Sequence, residues 1–148
     1  MPEVLLNEDC MRLMSQFEKL TGAGSRDCII DERNNRVIFV INPGEMGLAI
    51  GKSGASIKKA MEVMGRRIEV VEYAQNPEQF IKNCFLPAKV VSVVFSGEGE
   101  KQVAQVEVRD EDRGLAIGKD GKNIFKAKKL AQRQHNIADV LLVNRQQA

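Results

Sequence analysis

Gly47-Leu-Ala-Ile-Gly-Lys-Ser-Gly-Ala-Ser-Ile-Lys-Lys-Ala60 returns later in the chain as Gly114-Leu-Ala-Ile-Gly-Lys-Asp-Gly-Lys-Asn-Ile-Phe-Lys-Ala127. The second copy stands 67 positions after the first (114 minus 47), without a gap, and ten of the fourteen positions are identical. Chance does not give such a match in 148 residues, and a unit seen only twice points to two small domains rather than a stacked array. The expected boundary lies near Ala74 to Asn76, with one domain over residues 1–74 and the other over 75–148.

Outward from the two copies, the elements follow one order. Leu6, Cys10, Leu13, Phe17 and Leu20 recur at helical spacing and stop at Thr21-Gly22-Ala23-Gly24, which predicts an amphipathic helix ended by glycine. Cys28 to Ile30 and Val37 to Ile41 are rich in β-branched residues and predict two strands, joined by a polar turn over Glu32 to Arg36. Asn42-Pro43-Gly44 breaks the second strand. A short helix over 45–50, the Gly51-Lys52-Ser53-Gly54 loop, a helix from Ala55 to Met64 and a strand from Arg67 to Tyr73 complete the unit.

The second half repeats this plan. Asn76 reads as an N-cap, with Pro77 in the first helical position and Gln79 at N3. A helix to Phe85, strands over 89–95 and 102–108 around Gly97 to Glu100, and a short helix capped by Asp110-Glu111-Asp112 lead to Gly118-Lys119-Asp120-Gly121. A basic helix to Gln134 and a strand from Val140 to Val143 follow.

Composition fits a globular protein, with 43% hydrophobic and 28% charged residues. The N-terminus has neither a basic start nor a sustained apolar run, so the expectation is a cytoplasmic protein without signal or membrane span. Net charge is only +2, but residues 113–133 hold seven basic side chains against one acid, Asp120, a local balance of +6 that suits a polyanion. Cys10, Cys28 and Cys84 form no C-x-x-C pair and read as buried reduced thiols. No metal-ligand pattern and no cofactor motif is present. Gly51-Lys52-Ser53 resembles the end of a nucleotide-binding P-loop, but the glycine required five residues earlier is Met46, and in the second copy Arg113, with Asp120 in place of Ser or Thr. His135, the one histidine, lies near a helix end, where a capping or surface role outweighs general-base work. The chain is therefore read as no enzyme.

A helix, a Gly-x-x-Gly loop and a second helix flanked by strands in this order resemble the bacterial-type (type II) KH domain. Two of them in tandem are similar to the archaeal NusA-like transcription termination family. The resemblance implies an α+β fold, each domain a three-stranded mixed sheet packed by three helices. It also implies single-stranded RNA as ligand, a role in transcription termination, antitermination and elongation, and RNA polymerase or other transcription factors as further partners. Bacterial members add a polymerase-binding N-terminal domain and an S1 domain, for which this length leaves no room.

The residues supply the chemistry that such a role needs. Gly51 and Gly54, and Gly118 and Gly121, let a phosphate approach the main chain at the start of a helix, where unpaired N–H groups and the dipole favour an anion. Lys52 and Lys119 add a cation, Ser53 a neutral donor, and Asp120 a carboxylate that partly offsets Lys119. Lys58, Lys122 and Lys126 continue the basic surface, and Lys122, Lys126 and Lys129 share a face at spacings of four and three. Base reading falls to an apolar groove expected to include Ile50 and Ile117, together with Ile57 and Ile124, which equally suit a role in packing helices on the sheet. With 5% aromatics and no Trp, stacking modes such as those of RRM or OB folds are disfavoured. Two other readings remain open: a KH platform that docks polymerase or ribosomal partners with RNA binding secondary, and single-stranded DNA as ligand. A monomer is the default expectation.

Overall fold

The structure, a computed structural model, describes residues 6–143. The chain divides into two compact units, the break falling between Tyr73 and Ala74. Among the described residues no helix is long and apolar enough to cross a membrane.

In the first unit, α1 (Glu8–Thr21) starts where Asn7 caps it: Asn7 Oδ1 accepts the Cys10 N–H at 2.8 Å, and Glu8 and Asp9 occupy the first turn. The helix ends at Gly22, whose left-handed backbone (φ 84°) lets its N–H donate to Glu18 O at 2.7 Å. The stripe Cys10, Leu13 and Phe17 faces inward, and Phe17 stacks on Phe39 of β2 (Arg36–Ile41) with ring centroids 4.5 Å apart. Burying a side chain of that size contributes about 1.5–3 kcal/mol. Val37, Phe39 and Ile41 of β2 join Cys28, Ala49, Ala60 and Ile68 in one core.

Strand β2 is the centre of a three-stranded sheet. It runs antiparallel to β1 (Ser25–Asp31) and parallel to β3 (Arg67–Glu72). Parallel pairing needs a crossover, and here it is α2 (Met46–Ile50), the Gly51–Gly54 loop and α3 (Ala55–Met64). The sheet thus fixes both ends of the segment that carries the loop. Strand β1 begins three residues earlier than the apolar run Cys28 to Ile30 predicts. Asp27, a loop former by composition, is fully buried in the ladder, its Oδ1 accepting the Cys28 N–H at 2.8 Å beside a register shift.

One end of this sheet is closed by charge. Arg36 is almost fully buried and donates through Nε to Asp31 Oδ2 at 2.7 Å and through Nη1 to Glu69 Oε2 at 3.0 Å, while Asn34 Nδ2 reaches the same Asp31 oxygen at 2.8 Å. Burial pushes the Asp31 carboxyl up, and the Asn34 and Arg36 hydrogen bonds with the guanidinium charge outweigh it, leaving the group below its usual value.

The second unit repeats the plan with α4 (Pro77–Phe85), β4 (Val90–Ser96), β5 (Val103–Val108), α5 (Arg113–Ile117), α6 (Lys122–His135) and β6 (Asp139–Val143). Asn76 caps α4, its Oδ1 accepting the Gln79 N–H at 3.0 Å. Strand β5 pairs antiparallel with β4 and parallel with β6. Helix α6 packs on α4, burying Leu130 and Ala131 along with Phe80, Ile81 and Cys84. His135 closes this layer: its Nε2 lies 2.9 Å from Ala74 O and its ring 5.2 Å from that of Phe80. All three cysteines are buried thiols outside any disulfide.

The run Asp110-Glu111-Asp112 does not cap α5 by a side-chain bond. It forms a 3-10 turn of its own, and Asp112 Oδ2 accepts the Lys89 N–H at 3.3 Å instead. The turn closes through its backbone, Asp112 N–H to Arg109 O at 2.9 Å, and the Asp112 carboxylate is engaged by Lys89 rather than by the helix start.

Candidate nucleic-acid interface

Each crossover turns sharply between its two helices, and the two turns share one backbone. Gly51 and Gly118 have φ/ψ of 77°/173° and 79°/166°, Ser53 and Asp120 have 54°/29° and 56°/26°, and Gly54 and Gly121 have 77°/15° and 74°/14°. The first turn closes through Gly54 N–H to Gly51 O at 3.1 Å, the second through Gly121 N–H to Gly118 O at 3.1 Å.

The first glycine of each loop is needed for space as well as for its positive φ. A Cβ on Gly51 would stand 2.3 Å from Ser56 Oγ, and one on Gly118 2.9 Å from Asn123 Cγ and from the Asn123 backbone nitrogen. The last glycine meets ordinary contact distances only, 3.7 Å to Lys58 Cε at Gly54 and 3.8 Å to Ile124 Cγ2 at Gly121, so its requirement is the left-handed backbone alone. Between them, Ser53 and Asp120 hold a positive φ that short polar side chains tolerate better than β-branched ones.

Lys52, Ser53, Lys119 and Asp120 are exposed at the turns. Gly54 and Gly121 occupy the N-cap positions of α3 and α6, so neither helix has a side-chain cap and the first-turn N–H groups have no competitor from that source. Lys58 is exposed, with its stem against Gly54. Lys122 begins α6 and is half-buried. Ile50 is 38% exposed and Ile117 half-buried at the other end of each turn, whereas Ile57 packs against the first core.

Lys126 departs from expectation. At 7% exposure it is buried in α6, close enough to Cys84 for its charge to act on that thiol, which burial pushes up to about 12. The basic face Lys122, Lys126, Lys129 therefore has a gap at its centre. Lys128 is tied to Asp139 at 3.1 Å. Helical spacing alone could not reveal this, because α6 packs on α4 through more of its circumference than its apolar residues predict.

Two residues outside the expected set also lie at the second turn. Asn123 donates through Nδ2 to Leu115 O at 2.8 Å, and Phe125, one turn into α6, is 47% exposed. The repeat pairs them with Ser56 and Lys58, a contrast visible in the sequence; the exposure and the bond are not.

Residues 13–95 match the KH domain family, from α1 through the first unit and into β4, and residues 77–143 match the NusA-like second KH domain. The chain belongs to the archaeal NusA-like family of KH proteins. It is similar to the probable transcription termination protein NusA of Halococcus morrhuae, at 40% identity over 94% of this chain and 98% of that one. Against the transcription termination/antitermination protein NusA of Mycobacterium tuberculosis it is 38% identical over 85 residues, 57% of this chain and 24% of the bacterial one. The crystal structure of APE1850 superposes with a TM-score of 0.83 at 36% identity, covering 93% of this chain and all of that one. Its α+β architecture of two three-stranded mixed sheets with helices is that of two KH domains.

Proposed function

We propose that this NusA-like chain is a non-catalytic, single-stranded RNA-binding factor of transcription termination, antitermination and elongation, in which both Gly-Lys-x-Gly turns grip backbone phosphate. The observation that carries the reading is the shared geometry of the two turns: the same three backbone conformations, with an exposed lysine beside an uncapped helix start, built twice from sequences that differ between the glycines. A phosphate at either turn meets first-turn N–H groups and the positive end of the helix dipole, with the Lys52 or Lys119 ammonium within reach of the same charge. At the first turn Lys58 adds a second cation. These contacts position a strand without reading it, and the apolar residues Ile50 and Ile117 take the bases. The transcription role rests on the names of the relatives, and nascent transcript is the strand that such a factor meets. RNA polymerase is the protein partner this role calls for, the chain acts as a monomer, and it needs no cofactor.

The test is fluorescence-anisotropy titration of a labelled single-stranded RNA and the matched DNA at two salt concentrations, with wild type and a K52D/S53D/K119D variant. Aspartate is compatible with the Ser53 backbone, since Asp120 already holds it. Salt-sensitive binding that the folded variant loses supports the reading; each phosphate neutralised on a single strand contributes a slope of about 0.7 in log affinity against log salt. Binding absent in wild type, or unchanged in the variant, moves the assignment to a protein-docking platform, and DNA bound as tightly as RNA removes the preference for RNA.

A further inference from the structure

Beyond the phosphate turns, the two units differ at one exposed position whose chemistry changes class. Lys58, four residues after Gly54, lies with its Cε 3.7 Å from where a Cβ on that glycine would stand, so its stem runs along the first turn. The repeat places Phe125 at the same step, four residues after Gly121. Phe125 is 47% exposed at the fourth position of α6. An isolated apolar residue on a surface is ordinary, so the surroundings must decide. A staple against the residue preceding the N-cap would be the structural use of a large apolar group at this step of a helix, but that residue is Asp120, a carboxylate. The chain has only seven aromatic residues, six Phe and one Tyr; Phe17, Phe39, Phe80, Phe85 and Tyr73 are buried and Phe95 half-buried, which leaves Phe125 as the aromatic face most open to solvent. It stands on the basic helix, with Lys122 at the helix start and Lys129 exposed one turn further along.

We propose that Phe125 is a stacking platform for an unpaired nucleobase at the second turn, so that this domain exchanges the additional phosphate cation of the first domain for a contact with the base itself. The inference rests on the RNA-binding reading of the turns and goes beyond it, because the KH turn grips backbone and this residue takes a π-face. A base passing the turn is held near the helix start by its own phosphate, so the strand is already ordered where the ring waits, and stacking adds affinity without adding charge. The chemistry selects a base over a protein side chain, since residues 119–129 carry five lysines against one acid, Asp120, and a polyanion brings its bases with it.

The chain contains no tryptophan, so F125W is a single-site reporter. Its emission is expected to quench when single-stranded RNA is added and to stay unchanged with an abasic strand of the same length and charge. F125A should lose roughly 5- to 150-fold in RNA affinity with an unchanged salt slope. F125K, which imports the residue of the first domain, should steepen that slope by about 0.7 and abolish the difference between base-bearing and abasic strands at this turn. RNA that binds by anisotropy while F125W emission stays constant, or F125A that binds as wild type, overturns the inference and leaves the phosphate turns standing; the exposed ring would then belong to a protein contact. Anisotropy that shows no binding at any salt overturns both, so the wild-type titration tells the two failures apart.

Discussion

Asn123 reaches back across the second turn to Leu115: its Nδ2 donates to the Leu115 carbonyl oxygen at 2.8 Å, satisfying an acceptor that the last turn of the five-residue α5 leaves without a helical partner. In the first unit the paired residue is Ser56, too short to span to Leu48, and among the described residues it makes no such bond. N123S, which grafts the first arrangement onto the second, should loosen the turn by about 1 kcal/mol, read as several-fold faster amide exchange over residues 118–122. S56N, the reverse exchange, should slow exchange over residues 51–55.

The two glycines of a turn should respond differently to alanine. G51A forces a Cβ to 2.3 Å from Ser56 Oγ and 2.7 Å from the Ser56 backbone nitrogen, so the helix start must shift as well as the backbone. G54A meets only a lysine stem at 3.7 Å and carries the left-handed penalty of about 1–2 kcal/mol. Thermal unfolding should rank G51A as clearly more damaging than G54A; equal loss would mean that the approach to Ser56 is relieved at no cost.

Charge at the second turn can be altered without altering its shape. Asn holds a left-handed backbone as readily as Asp, so D120N keeps the φ of 56° and removes the one carboxylate between the two glycines. RNA affinity should rise several-fold at low salt and converge with wild type at high salt, as surface electrostatics are screened. A gain that persists at high salt would contradict a purely electrostatic effect.

Breaking the closed end of the first sheet should be costly. R36M leaves Asp31 and the Glu69 partner without their guanidinium, and removing one member of a buried pair typically costs about 3–5 kcal/mol. The pH dependence has a definite sign. Because the folded Asp31 carboxyl lies below its ordinary value of 3.8, its stabilisation is present above that value and is lost as pH falls through the lower folded value. Melting temperature against pH should therefore fall less steeply below pH 3.8 in D31N than in wild type.

Cys84 should resist thiol reagents. With its thiol pushed up to about 12 by burial, only partly countered by Lys126, almost no thiolate exists near neutral pH. Labelling by a chromogenic disulfide is expected only on unfolding, and rapid labelling of the native protein would show that α4 opens locally.

The fold could be read from the chain because its decisive signals are local. The repeated Gly-Lys-x-Gly segment, the Asn76 cap with Pro77 behind it and the β-branched run Val37 to Ile41 each specify their own geometry through a few neighbouring residues. Asp27, Lys126 and the acidic triplet were misleading for one common reason. Each is a polar residue whose environment is set by another element: the β1–β2 ladder for Asp27, the α4–α6 layer for Lys126, and the Lys89 amide for Asp112. At the turns, the glycines announced the left-handed backbone, while the exposure of Phe125 and the reach of Asn123 depend on how α6 lies.

The left-handed residue between the glycines has a consequence for how such a duplicated chain can diverge. Ser53 and Asp120 occupy backbones within 3° of one another although one is neutral and the other anionic. A position that selects for small size and backbone tolerance leaves the sign of its charge unconstrained, so mutation can change the charge of one copy while the other keeps its own. Two turns that share one backbone thereby become separately adjustable, and the charge of each half can drift without putting the shared architecture at risk.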